Sequence, residues 1–227
     1  MKIIEISGVP GSGKTTMLDS IRTSLPKNWD IFPNDSSSNY TINILKNKIN
    51  SFFYLFIFML FKPFYTFKLI KYLSIYFLKS KESIYSSLYL LLNILFKISY
   101  VFFKIKFKPK NNVIIDEGIS HIPFNMISYK SNQINIDAVK IWSFLKDLTK
   151  NIDVLILDIS KKEAHNRIFA RGHKRLKNKE DINNFLNLNN ETINLIKSES
   201  QNLFKSSEVI NVEQTNYRRY FFEFFEK

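Results

Sequence analysis

The chain of 227 residues contains no cysteine, and its three histidines are scattered. Disulfide bonds and thiolate metal sites are therefore excluded, and a zinc site built from histidines is not expected. The N-terminus enters an apolar stretch at once, without the charged region and apolar core that a secretory signal has ahead of its cleavage site. The length suits one large α/β domain, or one domain with an insert, that buries an apolar core.

Arginine is scarce as well, so the positive charge comes mainly from lysine. The chain has six arginines, none of them between Arg22 and Arg167, although its net charge is +13. Twelve lysines and a single acid, Glu82, lie in residues 40–110, which gives this segment a charge of +11 and leaves +2 for the remainder. The cation excess therefore belongs to one segment of the chain.

Apolar runs long enough to make a convincing membrane hairpin are also missing. Residues 52–61 are apolar all round, but Lys62-Pro63 stops them after ten residues, whereas a span needs about 20. Residues 83–103 are long enough, but Asn93 and Lys97 lie among them, and a central lysine costs about 2.5 to 3.5 kcal/mol on insertion scales. We therefore do not expect a transmembrane hairpin, although it stays an alternative.

Residues 40–110 are instead expected to form an α-helical insert in the domain. Helices are predicted over 52–61, 64–78 and 83–103, and the alternation of lysine with apolar residues over 104–108 predicts a strand or an extended arm. Helices that pack on the domain and present a basic aromatic face would suit an anionic lipid, a lipid-linked substrate or a phosphate-bearing glycan. The alternative is that they are plain core helices with solvated lysines.

The most specific motif lies near the N-terminus, where residues 8–16 fit the pattern G-x-x-x-x-G-K-[ST]. Residues 2–7 read as a buried strand before the motif, and residues 16–25 carry helical spacing after it. Strand, glycine-rich loop and helix in this order form a P-loop, whose backbone N–H groups surround phosphates while its lysine neutralises them. The predicted nucleotide contacts are Gly8, Pro10, Gly11, Ser12, Gly13, Lys14, Thr15 and Thr16.

A second motif, Asp116-Glu117-Gly118, ends an apolar strand over residues 112–116. A carboxylate in this position orients Mg²⁺ together with the P-loop hydroxyl, so Thr15 and Asp116 are the expected metal ligands. Asp116 and Glu117 alternate sides of the strand, so at most one can face the phosphates unless the chain turns at Gly118. One carboxylate can hold the metal's water shell while the other accepts the proton of an attacking hydroxyl, and the assignment between them stays open.

The third motif is a group of arginines after a clear buried strand over residues 154–158. On a helix, Arg167 and Arg171 lie one turn apart on one face, and Arg175 would follow if the helix outlasts Gly172. Such a pair grips phosphate oxygens bidentately, which lysine does less well. We predict that Arg167 and Arg171 close over the transferring group and that Arg171 and Arg175 contact the nucleotide. The predicted catalytic residues are Lys14, Asp116, Glu117, Arg167 and Arg171.

ATP is the expected nucleotide, with Mg²⁺. Asn178-Lys179-Glu180-Asp181 matches the guanine-reading pattern [NT]-K-x-D of GTPases, but it lies about twenty residues past the nearest strand instead of directly after one. The remaining predicted elements are a short strand over 29–33, a loop over 121–135, a helix over 136–150, a polar helix over 181–200, a strand over 208–212 and a closing helix over 217–225.

Taken together, the P-loop, Asp116-Glu117-Gly118 and the stretch from Asp158 through Arg167 and Arg171 resemble the thymidylate kinase and deoxynucleoside kinase branch of P-loop kinases. The resemblance covers residues 1–35 and 112–215, which makes 1–39 and 111–227 the expected kinase core. It implies a five-stranded parallel sheet flanked by helices, a mobile lid over ATP, and Mg²⁺.

One departure from that branch bears on the acceptor. Thymidylate-kinase-like enzymes have Asp-Arg-aromatic where this chain has Asp116-Glu117-Gly118, and Glu117 would repel a nucleoside monophosphate. The Asp-Glu-Gly variant is similar to kinase-like proteins associated with bacterial surface polysaccharides. The sequence thus favours a cytoplasmic ATP-dependent kinase, at the inner face of the membrane if 40–110 binds lipid, that phosphorylates a hydroxyl of a sugar or lipid-linked glycan.

Other functions stay open at this point. The same-class alternative is a nucleoside or nucleoside-monophosphate kinase. The alternative of another class is an ATP-driven switch or membrane-surface adaptor, which has less need of phosphate-gripping arginines. Nucleic acid is not an expected partner, and the sequence gives no signal for an oligomeric state.

Overall fold

In the computed structural model, a parallel β-sheet with helices on both faces organises the chain. The structure describes residues 1–32, 40–79, 83–107, 112–126, 138–171, 179–213 and 223–224. The strands are β1 (Ile3–Gly8), β2 (Trp29–Phe32), β3 (Asn112–Asp116), β4 (Ile152–Asp158) and β5 (Ser206–Asn211). They pair in parallel in the order β2-β3-β1-β4-β5. The five-stranded parallel sheet predicted from the sequence is confirmed.

Helices connect these strands, as parallel pairing requires. A 3₁₀ turn over Ile119–His121 leads directly into one of them. The helices of the described residues are α1 (Lys14–Arg22), α2 (Tyr40–Phe61), α3 (Pro63–Lys79), α4 (Ile84–Phe107), α5 (Ile122–Asn125), α6 (Ala138–Phe144), α7 (Lys146–Thr149), α8 (Lys161–Arg171) and α9 (Lys179–Leu203).

The central strand β1 buries side chains on both faces of the sheet. Ile4 and Ile6 point to the face covered by α1, where they share a core with Met17. Ile3 points to the opposite face, where the core includes residues of α4 and α9. Strands covered on both faces have continuous apolar sequences instead of alternating ones, which is why the sequence pattern located β1, β3 and β4.

Helices α2, α3 and α4 share the larger core with the sheet. α4 contributes buried residues from Ile94 to Phe103, and α2 and α3 pack beside it through buried residues such as Phe58 and Leu73. The core is continuous through these helices and the sheet. The division into a kinase core (1–39 and 111–227) and an insert (40–110) stays a prediction.

α2 and α4 run in the same direction along the sheet. Phe52 contacts Phe96 near one end of this pair, and Phe61 contacts Phe107 near the other, with ring centroids 5.0 and 5.3 Å apart. α4 ends at Phe107, shortly before β3 begins at the amino edge of the sheet. The break between α2 and α3 therefore lies at the amino edge, opposite the edge at which β1 and β3 end.

Three local predictions differ from the structure. α4 stays helical through Phe107, so the extended conformation predicted over 104–108 is wrong for residues 104–107. Lys104 is buried there and Phe103 contacts Phe107 one turn later, so side-chain packing overrides the alternating pattern. The predicted helix over 136–150 is divided at Leu145 into α6 and α7. The loop predicted from residue 121 begins as helix α5 instead. The closing helix predicted over 217–225 lies outside the described residues, except for 223–224.

One helix within the described ranges, α4, is long and apolar enough to cross a membrane, and Ile49–Phe61 with Pro63–Tyr76 passes the same test as a pair bent by 115°. In α4, however, the second half of the helix is buried within the protein's own core. This burial is what a core helix requires, and it accounts for the apolar composition of that half.

Candidate functional site

The loop between β1 and α1 has the backbone of a phosphate-binding turn. Gly11 and Gly13 have φ values of 86° and 91°, in the left-handed region that glycine adopts without strain. The Ser12 N–H donates a hydrogen bond to the Val9 carbonyl at 3.1 Å, which closes the turn. α1 then begins at Lys14, so the loop lies at the positive end of the helix dipole.

Lys14 is buried beneath this loop. Its Nζ donates hydrogen bonds to the carbonyls of Gly8 at 2.8 Å and Val9 at 3.3 Å, and it lies 3.4 Å from Glu117 Oε1. Thr15 and Thr16, which follow on α1, are exposed. The loop thus has an ammonium group inside it and a free hydroxyl at its rim.

Glu117 reaches Lys14 because the chain turns directly after β3. Glu117 itself has a φ of 56°, so the turn begins at this residue and not at Gly118. The carboxylate lies between two partners, since its Oε2 is also 3.4 Å from His121 Nε2. A left-handed backbone is uncommon for glutamate. The contacts of the Glu117 side chain therefore compensate for the strain of its backbone.

The pKa values around Glu117 are set by burial and by the neighbouring basic groups. Burial alone would raise the pKa of Glu117, but His121, Lys14 and Lys97 outweigh it and hold that pKa well below its usual range. Burial lowers the pKa of His121 far below its ordinary value, against the opposing effect of Glu117. The surroundings of Glu117 therefore keep its carboxylate ionised.

Asp116, at the end of β3, has the opposite shift. Burial, reinforced by the neighbouring Glu117, raises the pKa of Asp116 to about 6. Its Oδ1 is buried and has no hydrogen-bond partner among the described residues. The two adjacent carboxyl groups thus differ in protonation. Glu117 is ionised, whereas Asp116 is half-protonated near pH 6.

Glu5, which the sequence did not identify, supports this turn from below. It is fully buried on β1 and accepts hydrogen bonds from the backbone N–H groups of Ile119 at 2.8 Å and Ser120 at 2.6 Å. A Cβ atom at Gly118 would lie 2.3 Å from Glu5 Oε1, so only glycine fits there. The Asp116-Glu117-Gly118 motif therefore ends in glycine because a carboxylate occupies the space.

Lys97 and Asn125 complete the buried polar group behind the turn. Lys97 projects from α4, and its Nζ donates a hydrogen bond to Asn125 Oδ1 at 2.9 Å. Burial lowers the pKa of Lys97, against the opposing effect of Glu117, Glu5 and Asp116. In the sequence, Lys97 makes a membrane span unfavourable. In the folded protein, its positive charge lies close enough to interact with three carboxyl groups.

Arg167, on α8, contacts the P-loop. Its Nη1 donates a hydrogen bond to the Gly11 carbonyl at 3.3 Å, and its Nε donates one to Glu163 Oε1 at 2.8 Å. The glutamate one turn earlier on α8 fixes the guanidinium in place. The side chain of Arg171, the last residue of α8, lies outside the described part of the chain, as do Arg175 and the Asn178 of the GTPase-like pattern.

A metal ion would have a limited number of protein ligands here. In the described ranges, no group of three or more His, Cys, Asp or Glu side chains is arranged to hold a metal. The unpartnered, buried Oδ1 of Asp116 and the exposed hydroxyl of Thr15 nevertheless fit a hydrated Mg²⁺ whose other ligands come from phosphates. The residues therefore fit a metal that arrives with a nucleotide.

Comparison with known proteins bears on the fold. No protein-family model and no curated protein matches the sequence. Deoxyadenosine kinase from M. mycoides with bound dATP superposes with a TM-score of 0.54 and 18% identity over 100% of both chains. Thymidylate kinase from Candida albicans gives 0.48 and 14% over 99% of this chain and 91% of its own, a score too low to carry an argument. The first likeness shows a shared fold, so the fold expected from the resemblance to this branch is confirmed.

Proposed function

We propose that the protein is an ATP-dependent kinase that phosphorylates a hydroxyl group of a small acceptor, with a nucleoside as the first candidate. The observation that carries this proposal is the meeting of Lys14, Glu117 and Arg167 at one loop. Glu117 Oε1 lies 3.4 Å from Lys14 Nζ, and Arg167 Nη1 hydrogen-bonds Gly11 within the same loop. Two cations for a phosphoryl group and one carboxylate for an incoming hydroxyl are the groups that phosphoryl transfer needs.

The donor half of the site consists of the P-loop and α8. Backbone N–H groups of the loop at residues 11–16 surround the phosphates of ATP, together with the buried Ser12 hydroxyl, which has no hydrogen-bond partner among the described residues. Lys14 exchanges its two carbonyl contacts for phosphate oxygens, which are stronger partners for an ammonium group. Arg167 and Arg171 hold the transferring group from the opposite side, and Arg175 contacts the nucleotide.

Thr15 and Asp116 would hold Mg²⁺ together with the phosphates. Asp116 suits this role because its Oδ1 has no hydrogen-bond partner among the described residues, and a cation would favour the ionised form that burial disfavours. Bound Mg²⁺ would neutralise negative charge on the phosphates. Near and above pH 6, Asp116 is available in its charged form.

Glu117 accepts the proton of the acceptor. In the transfer step, the acceptor oxygen forms a bond to the γ-phosphorus, the bond from that phosphorus to the β–γ bridging oxygen breaks, and ADP leaves with its electron pair. The hydroxyl proton passes to Glu117, whose carboxylate is ionised before the reaction. When Lys14 turns towards phosphate, Glu117 loses one of the cations that lower its pKa and becomes a better base.

The acceptor is expected to be neutral at the reacting end. A glutamate, in place of a phosphate-holding arginine, repels a nucleoside monophosphate but accepts a hydrogen bond from a hydroxyl. Phe32 at the carboxyl end of β2 is half-buried, and its ring stacks on the buried Tyr100 with ring centroids 3.6 Å apart. The partly exposed ring of Phe32 at this edge of the sheet suits a nucleoside base, in keeping with the deoxyadenosine kinase fold.

A lipid-linked saccharide is the second candidate acceptor, in a cytoplasmic enzyme that touches the membrane surface. It is favoured by exposed apolar residues where α3 ends and α4 begins: Leu78, Ile84 and Tyr85 are 82%, 86% and 83% exposed. α4 begins about 20 Å before Lys97 along its axis, and these residues lie at that end of the helix.

The acceptor can be identified by incubating the protein with γ-labelled ATP and separate pools of nucleosides, nucleoside monophosphates, free sugars and lipid-linked glycans. Label in the nucleoside pool supports the first candidate, and label only in the glycan pool supports the second. Label found only in inorganic phosphate, with every pool tested, contradicts the kinase proposal.

Variants separate the roles of the two carboxylates. Glu117→Gln should lower kcat by about 10²- to 10⁴-fold with little change in the KM for ATP, because it removes only the base. Asp116→Asn should instead raise the Mg²⁺ concentration needed for half-maximal rate. The control is Glu191→Gln, an exposed glutamate on α9. Unchanged transfer in Glu117→Gln removes Glu117 from the role of base.

A further inference from the structure

A second concave site lies at the end of the molecule opposite the P-loop. It is formed where α2 meets α3, beside the last turns of α4 and the helices α6 and α7. α4 passes the catalytic turn at Lys97 and reaches this site between Phe102 and Lys106, about 10 Å further along the helix. The two sites therefore have no lining residue in common and lie at opposite edges of the sheet.

The interior of this cavity is apolar. Its volume is about 330 Å³, which lies at the lower end of the range for small-molecule sites. Phe58, Phe102 and Leu145 are buried and form its floor, and Ile105 and Leu148 are half-buried at its sides. A pocket of this composition offers an alkyl chain many dispersion contacts and no hydrogen-bond partner along its floor.

The mouth of the cavity is charged. Lys62 and Lys106 are exposed there, together with one acid, Asp147, so cations outnumber anions two to one. Beside the mouth, Phe61 is 54% exposed and Phe64 is 87% exposed. Apolar depth with ammonium groups at the entrance complements a molecule that has an alkyl chain and an anionic head.

We propose that this cavity binds the acyl chain of an anionic amphiphile, with the acidic head at Lys62 and Lys106. This inference does not depend on the kinase function. The head can belong to a free fatty acid or to a lipid in a membrane, since both present the same chemistry to the two lysines. The exposed rings beside the mouth would enter the interface of an anionic bilayer in the second case.

The first experiment is a calorimetric titration of the full chain with octanoate, decanoate and dodecanoate below their micellar concentrations. Each added methylene that enters the cavity should tighten binding about fourfold. Dodecanol, which has the same chain without the charge, should bind more weakly than dodecanoate. An affinity that does not change with chain length, or the absence of binding to all three acids and to anionic vesicles, overturns the proposal.

Two kinds of variant test the site itself. Ile105→Trp fills the cavity from its side and should weaken dodecanoate binding by about tenfold or more, since each excluded methylene accounts for about fourfold. Lys62→Glu with Lys106→Glu should weaken it by about fivefold while leaving dodecanol binding unchanged. The matched control is Lys27→Glu, an exposed lysine that does not line the cavity.

Flotation with phosphatidylglycerol vesicles and with neutral phosphatidylcholine vesicles distinguishes the two sources of the head. If Ile105→Trp reduces binding to the anionic vesicles, the cavity binds the acyl chain of a membrane lipid. The proposal that the cavity is the binding site is overturned if Ile105→Trp and the unsubstituted protein bind vesicles equally well and neither binds free acids. ATP binding and thermal unfolding of each variant, measured alongside, show that the fold is retained.

Discussion

The carboxyl edge of the sheet and the outer surface of α2 and α3 depart from the usual arrangement of side chains in opposite ways. At the sheet edge, charged groups such as Glu5 and Lys14 are buried. On the helices, large apolar side chains are exposed, among them Phe56 at 59% and Phe64 at 87%. Buried charge and exposed apolar surface both destabilise a fold relative to the reverse arrangement.

The difference between the two regions lies in how each departure is compensated. These two buried groups have partners within the protein: Glu5 accepts hydrogen bonds from two backbone N–H groups, and Lys14 donates hydrogen bonds to two carbonyls. The exposed rings of α2 and α3 have lysines and a cavity beside them. Among the described residues, the first region thus supplies partners for these buried charges, whereas the second leaves apolar surface that the proposed amphiphile would cover in part.

The largest expected effect follows from removing Lys14, the lysine at the centre of the charged region. Lys14→Ala should lower kcat/KM for ATP by about 10³-fold, because it removes the ammonium group from the phosphate site. Steady-state phosphate transfer measures this loss. Lys27→Ala, which changes an exposed lysine, serves as the control and should keep full activity. A Lys14→Ala enzyme with more than a tenth of the original kcat/KM would show that the loop is not the donor site.

The next effect compares two phenylalanines of α2 that are two residues apart. Phe58 is 2% exposed and Phe56 is 59% exposed. Phe58→Ala should lower the free energy of unfolding by about 3 to 5 kcal/mol, whereas Phe56→Ala should change it by less than about 0.5 kcal/mol. Urea denaturation measures both. Equal losses for the two variants would mean that the outer face of α2 is covered in solution.

A smaller effect concerns the contact between Gly118 and Glu5. Gly118→Ala places a methyl group 2.3 Å from Glu5 Oε1 and should lower the free energy of unfolding by about 1 to 3 kcal/mol. In a Glu5→Ala background, the same substitution should cost at least about 1 kcal/mol less, because the clashing carboxylate is gone. Additive losses in the double variant would refute the direct contact.

The smallest effect is a pH dependence that follows from Asp116. Its pKa is raised to about 6, above the ordinary value, so the folded state binds the proton more tightly than the unfolded state. This group therefore stabilises the fold below about pH 4, and that contribution is lost as the pH rises through 6. Asp116→Asn should be more stable than the original chain by about 1 to 2 kcal/mol at pH 8, with little difference at pH 4.

Thermal unfolding of both proteins between pH 4 and pH 8, without nucleotide, measures this difference. Glu191→Gln is the control, since it removes one exposed carboxyl group without touching the site. A stability difference that is the same at every pH would show that Asp116 is not desolvated in solution.

Local patterns were sufficient to predict the parts of the fold and site that depend on nearby residues. Short-range spacing predicts the P-loop, the buried strands and α8. Closely spaced glycines indicate a tight turn, an apolar run indicates a buried strand, and arginines four residues apart indicate one face of a helix. The same reasoning failed over residues 104–107, where contacts of Phe103 and Phe107 within a packed helix decide the conformation. Alternation is a reliable guide only where one face of a segment is left to solvent.

Side chains that matter through long-range contacts were missed. Glu5 lies between Ile4 and Ile6 in a strand buried on both faces, and a carboxylate in such a strand is a signal that its neighbours supply donors. Lys97 was noted in the sequence only as an obstacle to a membrane span. Its role as a counter-charge depends on α4 lying beside the turn that follows β3, and no local pattern contains that information.

The contact between Glu5 and the turn after β3 also fixes when the site can form during folding. Glu5 and the N–H of Ile119 are 114 residues apart, and parallel strands cannot be joined by a short hairpin. α2, α3 and α4 must therefore be made before β3 can align with β1. The P-loop is therefore made before its acidic counterpart, which can join it only after α2, α3 and α4 have been synthesised. A chain that ended before β3 would contain the loop without Glu117, the proposed base.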